Sequence, residues 1–463
     1  MADKEFVHPY IPNTNPTSTA AMLEEIGASS IEELFQSIPD HLRYQGSLGL
    51  PKPYPSEIEL RRNIAKTLEN NISFEPHRNF RGGGCWQHYV PSVCDEILSR
   101  GEFLTAYTGS RHANVGSFQA QFEFQSMISE LTDMDVVSYV TYDWGSAART
   151  ALGMAQRITQ RCKILVPKNI GPWRSSQIET LLFNSDIVWI DIDPTSSQID
   201  MNNLRDAMGP DVAAIYIENP CYLGNLETQA EAIGALAHEQ GAIFIVGVDP
   251  LSLGVVEAPG TYEADIVCGT VQTLGIHMFA GGGLAGLLAM RDEERIKTEC
   301  PWPILGLLET QQKNEFTFGW ANFNRTPYEL RDESEDFIGT GQTIWAIIAG
   351  VYLALMGPKG MQEIGETILQ RSHYAAKKIA AIPGVTLPME NAAFFKEFVV
   401  NIDDTGKKIS TVNAELTDLG FNSGTDLSKS YPRFGQAMLV AVTECHNKED
   451  IDTFALTLEK VVS

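Results

Sequence analysis

Between Lys168 and Lys297 the chain has no lysine, although this stretch holds most of its apolar, β-rich segments. Any chemistry needing an amine nucleophile there has no side chain to supply it. Long apolar runs are missing as well. None approaches the roughly 20 residues that a membrane span needs, and no basic region followed by an apolar one opens the chain, so a cytoplasmic address is expected. Cysteine is sparse and unpaired in pattern. The seven residues (Cys85, Cys94, Cys162, Cys221, Cys268, Cys300, Cys445) are scattered, odd in number and never spaced as CxxC, which points to reduced thiols and to no metal site. Positive charge is scarce, with 34 Lys and Arg against 59 Asp and Glu and a formal net charge of -25, which argues against nucleic-acid backbones and anionic membranes.

What is present is an alternation of short apolar runs and helical stretches. VVSYVTYD from Val136, KILVPK, DIVWIDID, VAAIYIENP, AIFIVGVDP, ADIVCGT and GLAGLLAMR are near-continuous apolar strands of the kind a central parallel sheet requires. Helices are expected after Gly145, near Gln177 and over Leu226 to Gln240. With 463 residues and 43% hydrophobic content the chain can bury one large core and a smaller one. The reading is a proline-rich N-terminal arm over residues 1–60 with a short helix at Ser29 to Gln36, a large α/β domain over 61–331, and a smaller C-terminal α+β domain over 332–463. The last contains a long helical stretch broken at Gly357-Pro358, the strands FKEFVVNI and AMLVAVT, and a final helix. Such arms often lie on a partner.

Four places could carry chemistry. Tyr142 to Ala148 sits where a strand ends and a helix begins, so Ser146 either helps bind an anion or caps the helix. Asp249 closes an apolar strand at the carboxyl edge of the sheet, where open α/β sheets bind ligands. It either faces a cofactor, as the acid on a pyridine nitrogen does, or starts the turn PLSLG. After the next strand, Gln272 and Thr273 stand where a Schiff-base lysine is expected, and neither can form an imine. The following Gly281-Gly282-Gly283 lacks the GxGxxG spacing of a nucleotide loop. Upstream, Arg81 to Tyr89 and Thr105 to His112 gather arginine, histidine and hydroxyls suited to carboxylate recognition and proton transfer, or equally to a surface loop.

Read end to end, the chain resembles subunit 1, the α chain, of the two-chain glycine decarboxylases (P-proteins) of the glycine cleavage system. The resemblance is carried by HPYIPNT at His8, MLEEIG, SSIEELFQSIP, GGGCWQHYVPSV, LSRGEFLTAYT, FEFQSMISELTDMDV, ENPCYLG, VDPLSLG, ADIVCGTVQTLGI, VYLALMGPKG and LVAVTECHNKEDID. It implies a fold-type I pyridoxal-phosphate transferase-like architecture and a heteromeric oxidoreductase of the glycine dehydrogenase (aminomethyl-transferring) type, inactive as this chain alone. Pyridoxal phosphate is then expected on a lysine-bearing partner β chain, in an α2β2 assembly that decarboxylates glycine and passes the aminomethyl group to a lipoyl carrier protein. By the same resemblance His88, Tyr107, Thr108, Ser110, Arg111 and His112 are substrate-pocket candidates, while Ser146, Asp249, Gln272 and Thr273 line a degenerate cofactor site. The sequence departs from the family pattern at Gly109 to Ser117, at Trp144, and from Arg331 to Gln342, where Glu333 replaces a usual lysine. A paralogous pair acting on another amino acid or amine, or a non-catalytic stabilising subunit, are the competing expectations.

Overall fold

The computed structural model describes residues 10, 14–44, 46, 49–103, 115–182, 184–279, 284–321 and 342–463. The chain divides into two compact units, Met1–Ser73 and Phe74–Ser463. The second holds both the large sheet and the C-terminal sheet; the boundary expected near residue 60 falls inside a helix, Glu57–Leu68.

Within the first unit, helices Pro16–Glu25 and Glu57–Leu68 are started by Asn15 and Ser56, whose side chains accept the Ser18 and Glu59 backbone N–H groups. The short helix expected at Ser29 to Gln36 is a 3-10 turn, Ile31–Phe35. None of the described residues of this unit is buried. Leu60, Ile64 and Leu68, spaced four apart on one helical face, remain exposed.

The strands of the second unit are β1 (Val136–Val137), β2 (Lys163–Pro167), β3 (Asp186–Ile190), β4 (Val212–Glu218), β5 (Ile243–Val248), β6 (Ile266–Thr270), β7 (Gly286–Met290), β8 (Leu305–Glu309), β9 (Phe316–Trp320), β10 (Glu397–Asn401), β11 (Thr425–Asp426) and β12 (Ala437–Ala441). Seven form one sheet in the order β1-β7-β6-β5-β4-β2-β3. The run from β3 through β6 is parallel, and β7 enters antiparallel between β6 and β1. Strands β4, β5 and β6 are buried along their whole length, as their unbroken apolar sequence anticipates. Two clusters pack on the sheet. One contains Phe124, Phe244, Val246 and Tyr352, the other Trp144, Leu152, Tyr216 and Trp302.

The smaller sheet is antiparallel, β10-β12-β11, over a core of Phe80, Phe398, Val440 and Phe454. The long helix Thr343–Ala380 is kinked at Gly357, where φ is +60°. Contrary to the expectation that no segment approaches a membrane span, this helix is long and apolar enough to cross a membrane by length and composition, but Ala346–Gly350, Tyr352 and Leu353 are buried in the protein core.

Candidate functional site

The topology carries Asp249 to the carboxyl end of β5, in the middle of the sheet. There it does two things. Oδ1 accepts the Leu251 N–H and starts the turn Pro250–Gly254, and Oδ2 lies 2.7 Å from Lys396 Nζ. Lys396 stands just before β10, its carbonyl held by the Val442 N–H at 2.9 Å, so a residue of the smaller sheet reaches into the site of the larger one. Both side chains are almost completely buried, at 4% and 3% exposure.

An ammonium has three N–H donors and no acceptor. Lys396 directs one side toward Asp249 and another toward His88 Nε2 at 3.0 Å, and lies 3.7 Å from the centroid of the Trp86 ring. This makes Nε2 the acceptor, so the His88 ring carries its proton on Nδ1, which is donated to Glu444 Oε2 at 2.8 Å. The other Glu444 oxygen accepts the Tyr89 N–H at 2.7 Å. Burial alone would raise the Glu444 carboxyl, but the contacts with His88 and the Tyr89 N–H outweigh it and hold the group down at about 2.

Gln272, at the place of the expected lysine, is also fully engaged. Its Oε1 accepts the Trp86 N–H at 3.2 Å, while Nε2 donates to the Trp86 and Ile276 carbonyls at 3.1 and 3.0 Å. It acts as a clamp on the Trp86 backbone. Thr273 is buried and its hydroxyl has no hydrogen-bond partner among the described residues. Ser146 closes a reciprocal cap with Asp143: Asp143 Oδ1 accepts the Ser146 N–H at 2.6 Å, and Ser146 Oγ accepts the Asp143 N–H at 2.9 Å. Those contacts make Ser146 the N3 partner of the Asp143 cap at the start of helix Trp144–Thr159.

The floor of the site is aromatic and charged. Arg174 meets Glu218 as a two-point fork, 2.5 and 2.6 Å, and its guanidinium lies 4.2 Å from the Trp144 ring centroid. Trp144 donates to the Tyr216 hydroxyl at 3.1 Å, and that hydroxyl donates to Glu218 at 2.9 Å. Gly247 lets Trp144 lie against β5, since a Cβ there would sit 2.9 Å from the indole nitrogen. Glu397 receives the Gly83 N–H at 2.7 Å; burial pushes its carboxyl up to about 7. Gly82 is required by contact with the same carboxylate, which a Cβ would meet at 2.1 Å, and Gly83 and Gly84 have φ of +101° and +106°.

What remains between Trp86, Trp144, Arg174, Tyr222, Asp249 and Lys396 is a cavity of about 10 Å³. That is at most the room for one water. The residues of this site therefore do not fit pyridoxal phosphate: Asp249 is paired with Lys396, Trp86 and Trp144 line a space no larger than a water, and Gln272 stands where the imine-forming lysine is expected.

Of the residues singled out from sequence, His88, Asp249 and Gln272 come together around Trp86, with His88 buried and both ring nitrogens engaged. Tyr107, Thr108, Ser110, Arg111 and His112 lie outside the described residues, as do Gly281 to Gly283 and most of the Arg331 to Gln342 stretch. Sequence reasoning missed Lys396, Glu444 and the Arg174–Glu218 pair. The available signal for the first was the pair Lys396-Glu397 interrupting the apolar run FFKEFVV.

A parallel sheet with a ligand-facing acid at the carboxyl end of a central strand and a smaller antiparallel sheet beside it is the architecture of fold-type I pyridoxal-phosphate enzymes. The likeness extends to solved structures of Burkholderia pseudomallei sphingosine-1-phosphate lyase (TM-score 0.66, 15% identity, 92% of this chain and 94% of that one). It is closer to a glycine decarboxylase (P-protein) of the glycine cleavage system solved in inhibitor-bound form, at TM-score 0.86 and 28% identity over 99% of this chain and 100% of that one. The family model of the glycine cleavage system P-protein matches residues 8–458, and the chain belongs to this family. Relatives named probable glycine dehydrogenase (decarboxylating) subunit 1 include those of Staphylothermus marinus, 36% identical over 98% of each chain, and Saccharolobus solfataricus, 34% identical over 99% of this chain and 98% of the relative.

Proposed function

We propose that this chain is the cofactor-free α subunit of a two-chain glycine decarboxylase, inactive alone, that completes the active site of a lysine-bearing β chain in an α2β2 assembly of the cytoplasm. The observation that carries the reading is the closed half-site: Lys396 on Asp249, and Gln272 at the lysine position, in a chain that matches the family over nearly its full length. A protein of this family with such a site needs its pyridoxal phosphate elsewhere, and relatives named subunit 1 supply the case for a second chain.

Bound on the partner, the cofactor supplies the electron sink for loss of the glycine carboxyl group. The role of this chain is to shape and dry the space over it. Tyr107, Thr108, Ser110, Arg111 and His112 are the residues proposed to face that space, with Arg111 suited to hold the carboxylate. His88, fixed by Lys396 and Glu444, orients the segment that leads to Tyr89. The aminomethyl group would then pass to a lipoyl carrier.

Co-expression with the β chain followed by a glycine–bicarbonate exchange assay tests this. Exchange by the pair and none by either chain alone is expected. A folded, cofactor-loaded pair that exchanges nothing with glycine would overturn the assignment, and turnover of another amino acid would identify the rewritten Gly109 to Ser117 segment as the place where specificity changed.

A further inference from the structure

Lys396 forms a buried ion pair with Asp249 and meets His88, and His88 meets the partly buried Glu444, a series of contacts running from the centre of the large sheet to the backbone of Tyr89. Each link is needed by the next. Without Lys396, the Asp249 carboxylate loses its cation, His88 Nε2 loses its donor, and the ring is free to turn away from Glu444, which is what holds the Tyr89 N–H. The same ammonium lies over Trp86, whose backbone Gln272 clamps from the opposite side.

We propose that Lys396 is a resident counter-cation of the half-site: its ammonium takes the place at Asp249 that a pyridinium occupies in a cofactor-bearing half, and so makes Lys396 the positioning residue for the Trp86 to Tyr89 segment. The half-site is an organic-ammonium site whose ligand is supplied in cis. The shape supports this as well as the charge. Three partners of different chemistry, a carboxylate, an imidazole nitrogen and an indole face, converge on one Nζ, and the cavity left beside them holds no more than a water. Only the identification of Asp249 with a pyridine-facing acid is taken from the fold; the geometry around Nζ stands without any statement about a partner chain or substrate.

The test uses the full-length chain without a partner, so its outcome is independent of the two-chain reading. Lys396→Ala removes three carbons and the ammonium, which is n-propylammonium in outline. The variant should melt well below the parent, and n-propylammonium chloride should raise its melting temperature while leaving the parent unmoved. Tetramethylammonium at equal ionic strength has no N–H donor and should not rescue. Equal shifts from both salts, or none from either, would overturn the proposal.

Should Lys396→Ala fail to fold, the charge-balanced pair Lys396→Met with Asp249→Asn keeps the question open to measurement. Hydrogen exchange at the Tyr89 amide should then rise by about tenfold, with β4 and β5 unchanged. An unaltered Tyr89 amide would show that Lys396 does not position this segment.

Discussion

The half-site around Asp249 and the N-terminal unit use their side chains in opposite ways. Around Asp249 the charged groups are engaged within the chain: Lys396 meets an acid, a histidine and an indole, and Arg174 meets Glu218 in a two-point fork. In Met1–Ser73 none of the described residues is buried, and Leu60, Ile64 and Leu68 present an apolar row to solvent. The pocket around Asp249 is closed by side chains of the chain itself, while the N-terminal unit has little core of its own and an open apolar surface. The first reads as a finished interior and the second as a surface awaiting a neighbour.

That contrast can be broken at several points. The largest effect is expected at Arg174→Met, which leaves the Glu218 carboxylate buried without its cation; a loss of about 3–5 kcal/mol in urea unfolding is predicted. Loss below about 1 kcal/mol would mean that the interior is less closed than its geometry indicates.

Gln272→Lys places a lysine where the sequence leads one to expect a Schiff-base residue. It should instead cost about 1–3 kcal/mol, because the clamp on the Trp86 backbone is lost, and the chain incubated with pyridoxal phosphate should develop no imine absorption. A stable imine band would turn the half-site from a closed interior into a dormant cofactor site.

A pH titration of stability sharpens the same point. Glu397 has its carboxyl raised to about 7 by burial, against an ordinary value of 4.5, so the folded state keeps a proton that the unfolded chain has already released. Its contribution to stability is therefore complete below pH 4.5 and is lost as pH rises toward 7. Glu397→Gln should flatten that fall. Glu444 acts in the opposite sense: held at about 2, it contributes stability above 4.5 that disappears as pH falls toward 2.

The smallest effect on stability is predicted for the exposed row. Leu60→Asp with Ile64→Asp should change unfolding of the isolated chain by no more than about 0.5 kcal/mol. Sedimentation with the β chain should nevertheless show weakened association. Unweakened association would show that the row does not meet the β chain.

Much of this molecule was legible in the sequence, for identifiable reasons. The apolar runs of β4, β5 and β6 mark a sheet buried on both faces, and Gly357-Pro358 marks the kink in the long helix. Asp249 stood out as a carboxylate closing an apolar strand, read either as facing a ligand or as starting the PLSLG turn; it starts that turn, and its other oxygen lies against Lys396. The helix expected from Leu226 begins only at Ala230; the Leu226, Glu227 and Thr228 backbone N–H groups bond instead to Ala393, Asn219 and Gln198. The β8–β9 hairpin carried no recognised turn signal. Lys396 was not legible for a different reason: the cation arrives from just before β10, more than a hundred residues beyond Gln272. Pairings of that kind are set by tertiary packing, which neither spacing nor periodicity encodes.

The central claim is that this chain contributes a half-site without cofactor to an enzyme whose cofactor is on the partner. Borohydride reduction of the co-expressed pair, followed by peptide mapping, tests it most directly. Every reduced pyridoxyl label should map to a lysine of the β chain, with one label per pair of chains. A label on any lysine of this chain, Lys396 included, would contradict the account.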